Sequence, residues 1–354
     1  MRVNHEIPIE SGQKFQVDRF KPADATGIAN LFYAIYGPDY PFDTYYIPER
    51  IIEENHRGNI HSVVARTPKG DIVAHGALYR SSPVSSGLFE IGQYIVLKNY
   101  RETFAAYKIN QYISESLTQF IRADGIFGEA VCNHVTTQKS SALIGMKDVA
   151  LEVDLMPAGV YEKETGKSGR VSCLMQFRSS NDRPHEVFIP QIYRESIERI
   201  LEDCSISRTI KRCRGSVPSD CESDVRVKYF GHAGVARANV VRMGPDFESV
   251  LNRFEKKAVG DGIIVFQLFI NLDAPWNENG VELLRERGYF LGGYVPRWFD
   301  TDGLLMQKVF SQPDFDGINL YSEKARQIKE YVRADWDRAG KRAESTEEAV
   351  NRKA

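Results

Sequence analysis

LFEIGQYIVLKNYRETFAAYKI, Leu88 to Ile109, decides how the chain is read. Leu88 to Val96 is apolar at most positions and follows a small, polar turn (Ser81 to Gly87), so it is expected to be a strand. From Thr103 the period changes. Ile109, Ile113, Leu117 and Ile121 recur every four residues and lay one apolar stripe of a helix against a core. A strand that runs almost directly into a helix leaves the first helical N–H groups without partners, and the dipole there favours an anion.

Working outward, the same alternation of periods continues. Phe15 and Val17 suit a half-buried strand, and Asp24 can cap a helix with the stripe Ile28, Leu31, Phe32 and Ile35, closed by Gly37-Pro38. YGPDYPFDTYYIPERI, rich in Tyr and Pro, reads as an ordered loop. Ser62–Thr67 and Ile72–Tyr79 form a hairpin around Pro68-Lys69-Gly70-Asp71. Ile126–Cys132 is a strand, Thr136–Leu143 a short helix stopped by Gly145, and Val149–Leu155 a strand. The order β-α-β-β-β-α-β-α-β predicts an α/β fold, a mixed sheet flanked by helices.

A second cycle starts near Val225. Strands are expected at Val225–Tyr229, Val235–Val241, Ile263–Leu272, Tyr289–Val295 and Leu304–Val309. Helices are expected at Phe247–Val259 and Val281–Arg287. GIFGEAVCNH…ALIGMKDVALEVDL and GIIVFQLFINL…LLRERGYFLGGYV share an order of strand, helix, glycine and strand, a repeat of order more than of identity. Between the cycles lie the charged stretch Glu162–Gly169, a strand at Val171–Phe177, a helix after Pro190 and a basic segment around Lys211–Arg214. A charged helix, Tyr321–Ala343, closes the chain. The expected division is 1–160, a connector at 161–224, 225–321 and a helical tail at 322–354.

Composition narrows the function. The chain has 354 residues, 42% hydrophobic and 27% charged, with a formal net charge of −2. That is an ordinary globular balance without the global basic footprint of a nucleic-acid binder. No spanning apolar run and no signal-peptide pattern at Met1–Glu10 are visible, so neither a membrane nor an export route is expected. Five scattered cysteines (Cys132, Cys173, Cys204, Cys213, Cys221) fit neither a zinc knuckle nor a disulfide framework and suggest reduced thiols in a cytoplasm. No His/Cys/Asp set has metal-ligand spacing, and neither G-x-S-x-G nor a P-loop is present.

Val96-x-x-x-Tyr100-Arg101, followed by Ala106 and the helix, resembles the GNAT superfamily of acyl-CoA-dependent N-acyltransferases over roughly residues 14 to 156. The resemblance implies two GNAT-like domains in tandem, the second degenerate because no such segment precedes the helix at Phe247. It implies acetyl-CoA or another acyl-CoA as co-substrate, and a small amine as acceptor. The pyrophosphate would rest on Arg101, Glu102, Thr103, Phe104, Ala105 and Ala106, while backbone N–H groups near Tyr94, Ile95 and Val96 would polarise the thioester carbonyl. The family usually has glycine where this chain has Glu102 and Phe104, because the backbone must approach the phosphates closely.

By the same resemblance Glu90 is the candidate base. It is a carboxylate among Phe89, Ile91 and Tyr94, an environment that tunes protonation. His75 makes a similar claim from the neighbouring strand. His134 falls near where relatives place a pantetheine-binding asparagine, and Gln138 lines the same helix start. Ser141 stands where many relatives keep a tyrosine acid, leaving Tyr94 or Tyr100 as substitutes. Trp298, Phe299, Asp273, Asp300 and Asp302 are candidates for lining an acceptor cleft. Two other readings stay open: a GNAT scaffold that senses a ligand or binds a partner without turnover, and a transferase that takes its acyl group from an acyl-carrier protein held by Lys98 and Lys108. Oligomeric state is not fixed by the sequence, and a homodimer is left open.

Overall fold

A computed structural model describes residues 9–38, 40, 42–158 and 169–351, with side chains as far as Gly340. The chain divides into two compact units, residues 1–81 with 87–128, and residues 82–86 with 129–354. This division differs from the one expected from the sequence. Residues 161–168 of the expected connector lie outside the described residues.

In the first unit four strands run β1 (Gln16–Arg19), β2 (Ile60–Arg66), β3 (Ile72–Tyr79) and β4 (Leu88–Val96), each antiparallel to the last. The start of β5 (Gly125–Val131) pairs parallel with β4. Helices α1 (Ala25–Tyr36) and α2 (Pro48–Arg57) pack Ile28, Leu31, Phe32 and Ile51 on Val64, Ile72, Ala77 and Ile95. The Tyr- and Pro-rich stretch expected to be a loop therefore ends in a helix. Pro48 opens α2 and Gly58, at φ +72°, closes it. Asp24 does stand at the start of α1, but its carboxylate does not cap it. It accepts from the Lys21 amide (2.7 Å) and from Arg66 (2.6 and 2.7 Å).

Helix α3 (Ala105–Tyr112) continues through a π turn (Ile113–Leu117) into α4 (Thr118–Phe120). A stripe repeating every four residues drifts around a helix of 3.6 residues per turn, and the wider turn takes up the excess. Ile109, Ile113 and Leu117 are accordingly all buried. Gly76 on β3 makes this contact possible. A Cβ there would meet Ile109 Cγ2 and Tyr94 Cε1, each at 2.7 Å.

The second unit is a sheet ordered β7 (Arg170–Ser179), β6 (Lys147–Pro157), β13 (Phe290–Val295), β14 (Gly303–Val309), β12 (Val265–Asn271), β11 (Val235–Arg242), β10 (Asp224–Phe230). Strand β7, expected inside the connector, pairs antiparallel along β6. The join of β6 to β13 is a single pair, Gly293 with Ala150. Gln307 reinforces it by accepting from the Val153 amide (2.9 Å) and donating to the Leu151 carbonyl (2.8 Å). Helices α5 (Thr136–Leu143), α6 (Arg194–Leu201), α7 (Phe247–Gly260), α8 (Asn277–Glu286) and α9 (Glu323–Asn351) belong to this unit. So does a two-stranded parallel ribbon, β8 (His185–Ile189) with β9 (Arg208–Arg212), which the sequence reading missed.

A buried ionic network sits in the same unit. Arg237 donates to Glu152 (2.9 Å), Glu129 (2.9 Å), Gln267 (2.8 Å) and Ser82 (3.0 Å), and Gln267 donates in turn to Glu152 (2.8 Å). Glu152 is 0% and Arg237 6% exposed, so each charge relies on the other. Removing one partner strands the second in a low dielectric. Arg237→Met should cost about 3–5 kcal/mol in urea unfolding, with Glu152→Gln added on top recovering a large part. In the first unit, Gly76→Ala should cost about 1–3 kcal/mol through overpacking on Ile109 and Tyr94.

Candidate active site

Strand β4 is irregular where the chemistry was expected. Ala77 pairs with Gly92 and His75 with Ile95, so Gln93 and Tyr94 together oppose Gly76. This is a β-bulge, and Gln93 occupies the left-handed region at φ +58°. Such a position favours glycine, and a residue with a Cβ pays roughly 1–2 kcal/mol there. The parallel register with β5 runs from Leu88–Gly125 to Glu90–Phe127, immediately before the bulge.

Two side chains hold Gln93. Its carbonyl oxygen lies 3.0 Å from His75 Nδ1, and Ser62 Oγ lies 3.0 Å from His75 Nε2. A carbonyl can only accept, so Nδ1 carries the proton and Nε2 accepts from the serine hydroxyl. The second hold is Tyr40, whose hydroxyl donates to Gln93 Oε1. His75 is fully buried, and burial lowers its pKa to about 4. The expectation that His75 serves as a base fails on this geometry, because both ring nitrogens are engaged and the ring is packed beside Phe32 and Tyr45.

Glu90 is half-buried on β4 and accepts from the Tyr79 hydroxyl. The Tyr94 ring lies close over Gly76, where Ile109 also approaches. Its hydroxyl is buried and has no hydrogen-bond partner among the described residues, and burial raises its pKa well above the usual phenol range. Tyr94 therefore keeps its proton and has a bond left to donate. The alternative acid, Tyr100, is buried with its hydroxyl committed to the Glu10 carbonyl (2.7 Å).

Beyond Val96 the chain makes a short 3-10 turn (Lys98–Tyr100) and enters α3. Ile95 and Ala105 are buried, whereas Arg101, Glu102, Thr103, Phe104 and Ala106 are exposed, Phe104 by 74%. The Thr103 hydroxyl donates to the Tyr100 carbonyl (2.7 Å) and accepts from the Ala105 amide (3.2 Å). The amides of Glu102, Phe104, Ala106 and Tyr107 have no hydrogen-bond partner among the described residues. Arg101 reaches back to the Val96 carbonyl (3.4 Å). The anion-binding physics of a helix start is thus in place without a glycine.

The remaining candidates lie in the second unit. His134 is exposed. Gln138 is buried and committed elsewhere, donating to the Asn319 carbonyl (2.9 Å) and accepting from the Tyr321 amide (2.9 Å), so the role of cofactor ligand is corrected to that of a latch. Trp298 and Phe299 are buried, and Trp298 stacks on Phe269 at 3.9 Å, so they form core in place of lining a cleft. Asp302 is also enclosed. Burial pushes its pKa up, but bonds from His185 and Arg208 outweigh that and hold it at about 2. Asp273 and Asp300 are exposed. Among the described residues no group of three or more His, Cys, Asp or Glu could hold a metal ion, and no helix is long and apolar enough to cross a membrane.

Sequence reasoning missed Gln93, Tyr40 and Ser62. Glutamine carries no preference for a left-handed backbone, so nothing in IGQYI announces the bulge. Only the pair Gly76 and Gly92 hints that two strands and a helix crowd there.

No family model matches the chain, and no curated protein matches it. Solved structures do align with it. A ribosomal-protein-S5-alanine acetyltransferase from Vibrio fischeri is 13% identical, with TM-score 0.38, over 51% of this chain and 98% of that one. A spermidine/spermine N-acetyltransferase from Vibrio cholerae is 11% identical, with TM-score 0.36, over 47% and 92%. An acetyltransferase from Salmonella typhimurium, described as putative and solved with acetyl-CoA, is 8% identical, with TM-score 0.38, over 48% and 96%. The class that the chain's own geometry defines is a mixed α/β protein with a bulged strand feeding a helix.

The His75 assignment is directly testable. Ring-nitrogen NMR should show the Nδ1–H tautomer and a neutral ring down to about pH 4. An unfolded chain binds the proton near pH 6.5, so the depressed pKa lends stability that is complete above that value and lost as pH falls toward 4, by up to roughly 3 kcal/mol.

Proposed function

We propose that the chain is an acyl-CoA-dependent N-acyltransferase whose site is built on β4 and the start of α3. One observation carries this reading: β4 leaves its parallel register with β5 after Glu90, bulges at Gln93–Tyr94, and leads into a helix start with unpartnered amides. The amides of Glu102, Phe104, Ala106 and Tyr107, with Arg101, would receive the pyrophosphate. Backbone N–H groups of Tyr94–Val96 would polarise the thioester carbonyl.

The chemistry follows from the groups at hand. An amine attacks the thioester carbon, forming C–N, and its proton passes to Glu90 directly or through water. The tetrahedral oxyanion is stabilised by the strand amides. Collapse breaks C–S, and the departing thiolate takes a hydrogen bond or a proton from Tyr94, whose raised pKa favours the hydrogen bond. His134 and Gln138 carry no role in this scheme. The acceptor is an amine.

We read residues 1–160 as the catalytic domain and 225–321 as a repeat without a site. In the second unit β11 and β12 stay in unbroken parallel register from Val235–Val265 to Val240–Ile270, so they lack the early parting of β4 from β5. The acidic Glu102 and exposed Phe104 favour a second reading, a scaffold that binds a partner or ligand without turnover.

Calorimetric titration with acetyl-CoA and longer acyl-CoAs tests the claim. Binding is expected, and Glu90→Gln should then lower kcat roughly 100-fold or more without changing donor affinity. No heat with any acyl-CoA contradicts the cofactor claim, and binding without turnover on any amine supports the scaffold reading. Replacing Glu102 and Phe104 with glycine should tighten acyl-CoA binding, since side chains that crowd the phosphates are removed.

A further inference from the structure

We infer that His75 and Tyr40 are positioning residues, which clamp Gln93 from two sides and so hold the strand amides at the donor's carbonyl. This rests on the acyltransferase reading of the same site.

A left-handed residue in a bulge is ordinarily glycine, because a Cβ crowds the following carbonyl. Here the residue is Gln93, and its conformation must be imposed from outside. His75 does this at the backbone, its Nδ1–H donating to the Gln93 carbonyl at 3.0 Å. Ser62, at 3.0 Å on the far side of the ring, fixes which nitrogen carries the proton. Full burial keeps the ring uncharged and its orientation fixed by Phe32 and Tyr45, at 5.6 and 5.7 Å between centroids.

Tyr40 acts on the side chain of the same residue, its hydroxyl donating to Gln93 Oε1. It comes from the segment after α1, where its ring packs on Phe32 (4.9 Å), Tyr36 (4.8 Å), Phe42 (5.7 Å) and Tyr45 (5.9 Å). Tyr46 fixes that segment in turn, accepting from the Tyr40 amide (2.9 Å) and donating to the Gly37 carbonyl (2.7 Å). The exposed rings Tyr36 and Phe42 lie on the outer side of this cluster. A glycine bulge would need none of these bonds. The Gln93 side chain gives the tyrosine segment a handle on the bulge that a glycine could not provide.

The two clamps have different mechanical roles. His75 sets the peptide plane between Gln93 and Tyr94, and so the direction of the Tyr94 amide. Tyr40 resists rotation of Gln93 about its own backbone. Loss of either should leave the donor's phosphates bound at α3 and change only how its carbonyl is polarised.

The test uses the full chain and acetyl-CoA isotope-labelled at the thioester carbonyl, with the carbonyl stretch read by infrared difference spectroscopy. In the native protein the bound band should lie below that of free acetyl-CoA. His75→Phe and Tyr40→Phe should each return it toward the free value, with the Kd for acetyl-CoA kept within about threefold, less than 1 kcal/mol. His75→Asn, whose amide can donate in place of Nδ1–H, should restore part of the shift. A merely structural role would not separate carbonyl shift from affinity in this way. Tyr40→Phe removes a single hydroxyl, so the test stands even if His75→Phe fails to fold. A native shift retained in Tyr40→Phe and in any folded His75 variant overturns the inference alone. No acetyl-CoA binding by the native chain overturns the acyltransferase reading and this inference together.

Discussion

The hydrogen bond from buried His75 to the carbonyl of Gln93 is the constraint on which the first unit turns. It links the floor of the sheet to a residue whose backbone would otherwise relax, and it fixes where β4 stops being an ordinary strand. On one side of that point the strand pairs with β5 as far as Glu90 and Phe127. On the other it runs through Leu97 to α3 and the unpartnered amides there. The packing around it is correspondingly tight, with Gly76 admitting both the Tyr94 ring and Ile109. The π turn in the following helix keeps the apolar stripe aligned over that crowded contact.

In the second unit a similar order of elements keeps its parallel strand pair together, and β11 shifts register only against β10, where Asp224 faces Arg242 and Val225 faces Val240. Strands β11 and β12 remain in register over the whole contact, and the unit buries an ionic network around Arg237. Charges inside a core need every bond satisfied. The Glu129, Glu152, Gln267 and Ser82 contacts meet that need for Arg237.

Much of the architecture was legible because strand and helix periods are strong along this chain. Ile109, Ile113 and Leu117 face the core as their spacing implied, and the β2–β3 hairpin forms around its Pro-Lys-Gly-Asp turn. Helix α2 stayed hidden because Tyr and Pro dominate the approach to it, and their turn preferences mask the Pro48 start. Strand β9 (RTIKR) is short and charged, so no alternation marks it. The site was legible only in outline. Glu90, Tyr94 and the loop before α3 could be proposed from their place in the pattern, whereas the bulge depends on tertiary bonds to Gln93 that leave no local trace. Gln138 and Trp298 show the converse: a polar side chain at a helix start and an aromatic near a loop look functional in sequence, and both prove to be internal fixtures.

The central claim is that the start of α3 receives the donor's phosphates even though Glu102 and Phe104 stand where glycine is usual. Hydrogen–deuterium exchange of the intact chain, with and without acetyl-CoA, measures this at the amides themselves. Exchange across Glu102 to Tyr107 should slow when acetyl-CoA is present. Exchange in that segment unchanged at saturating acetyl-CoA would contradict it.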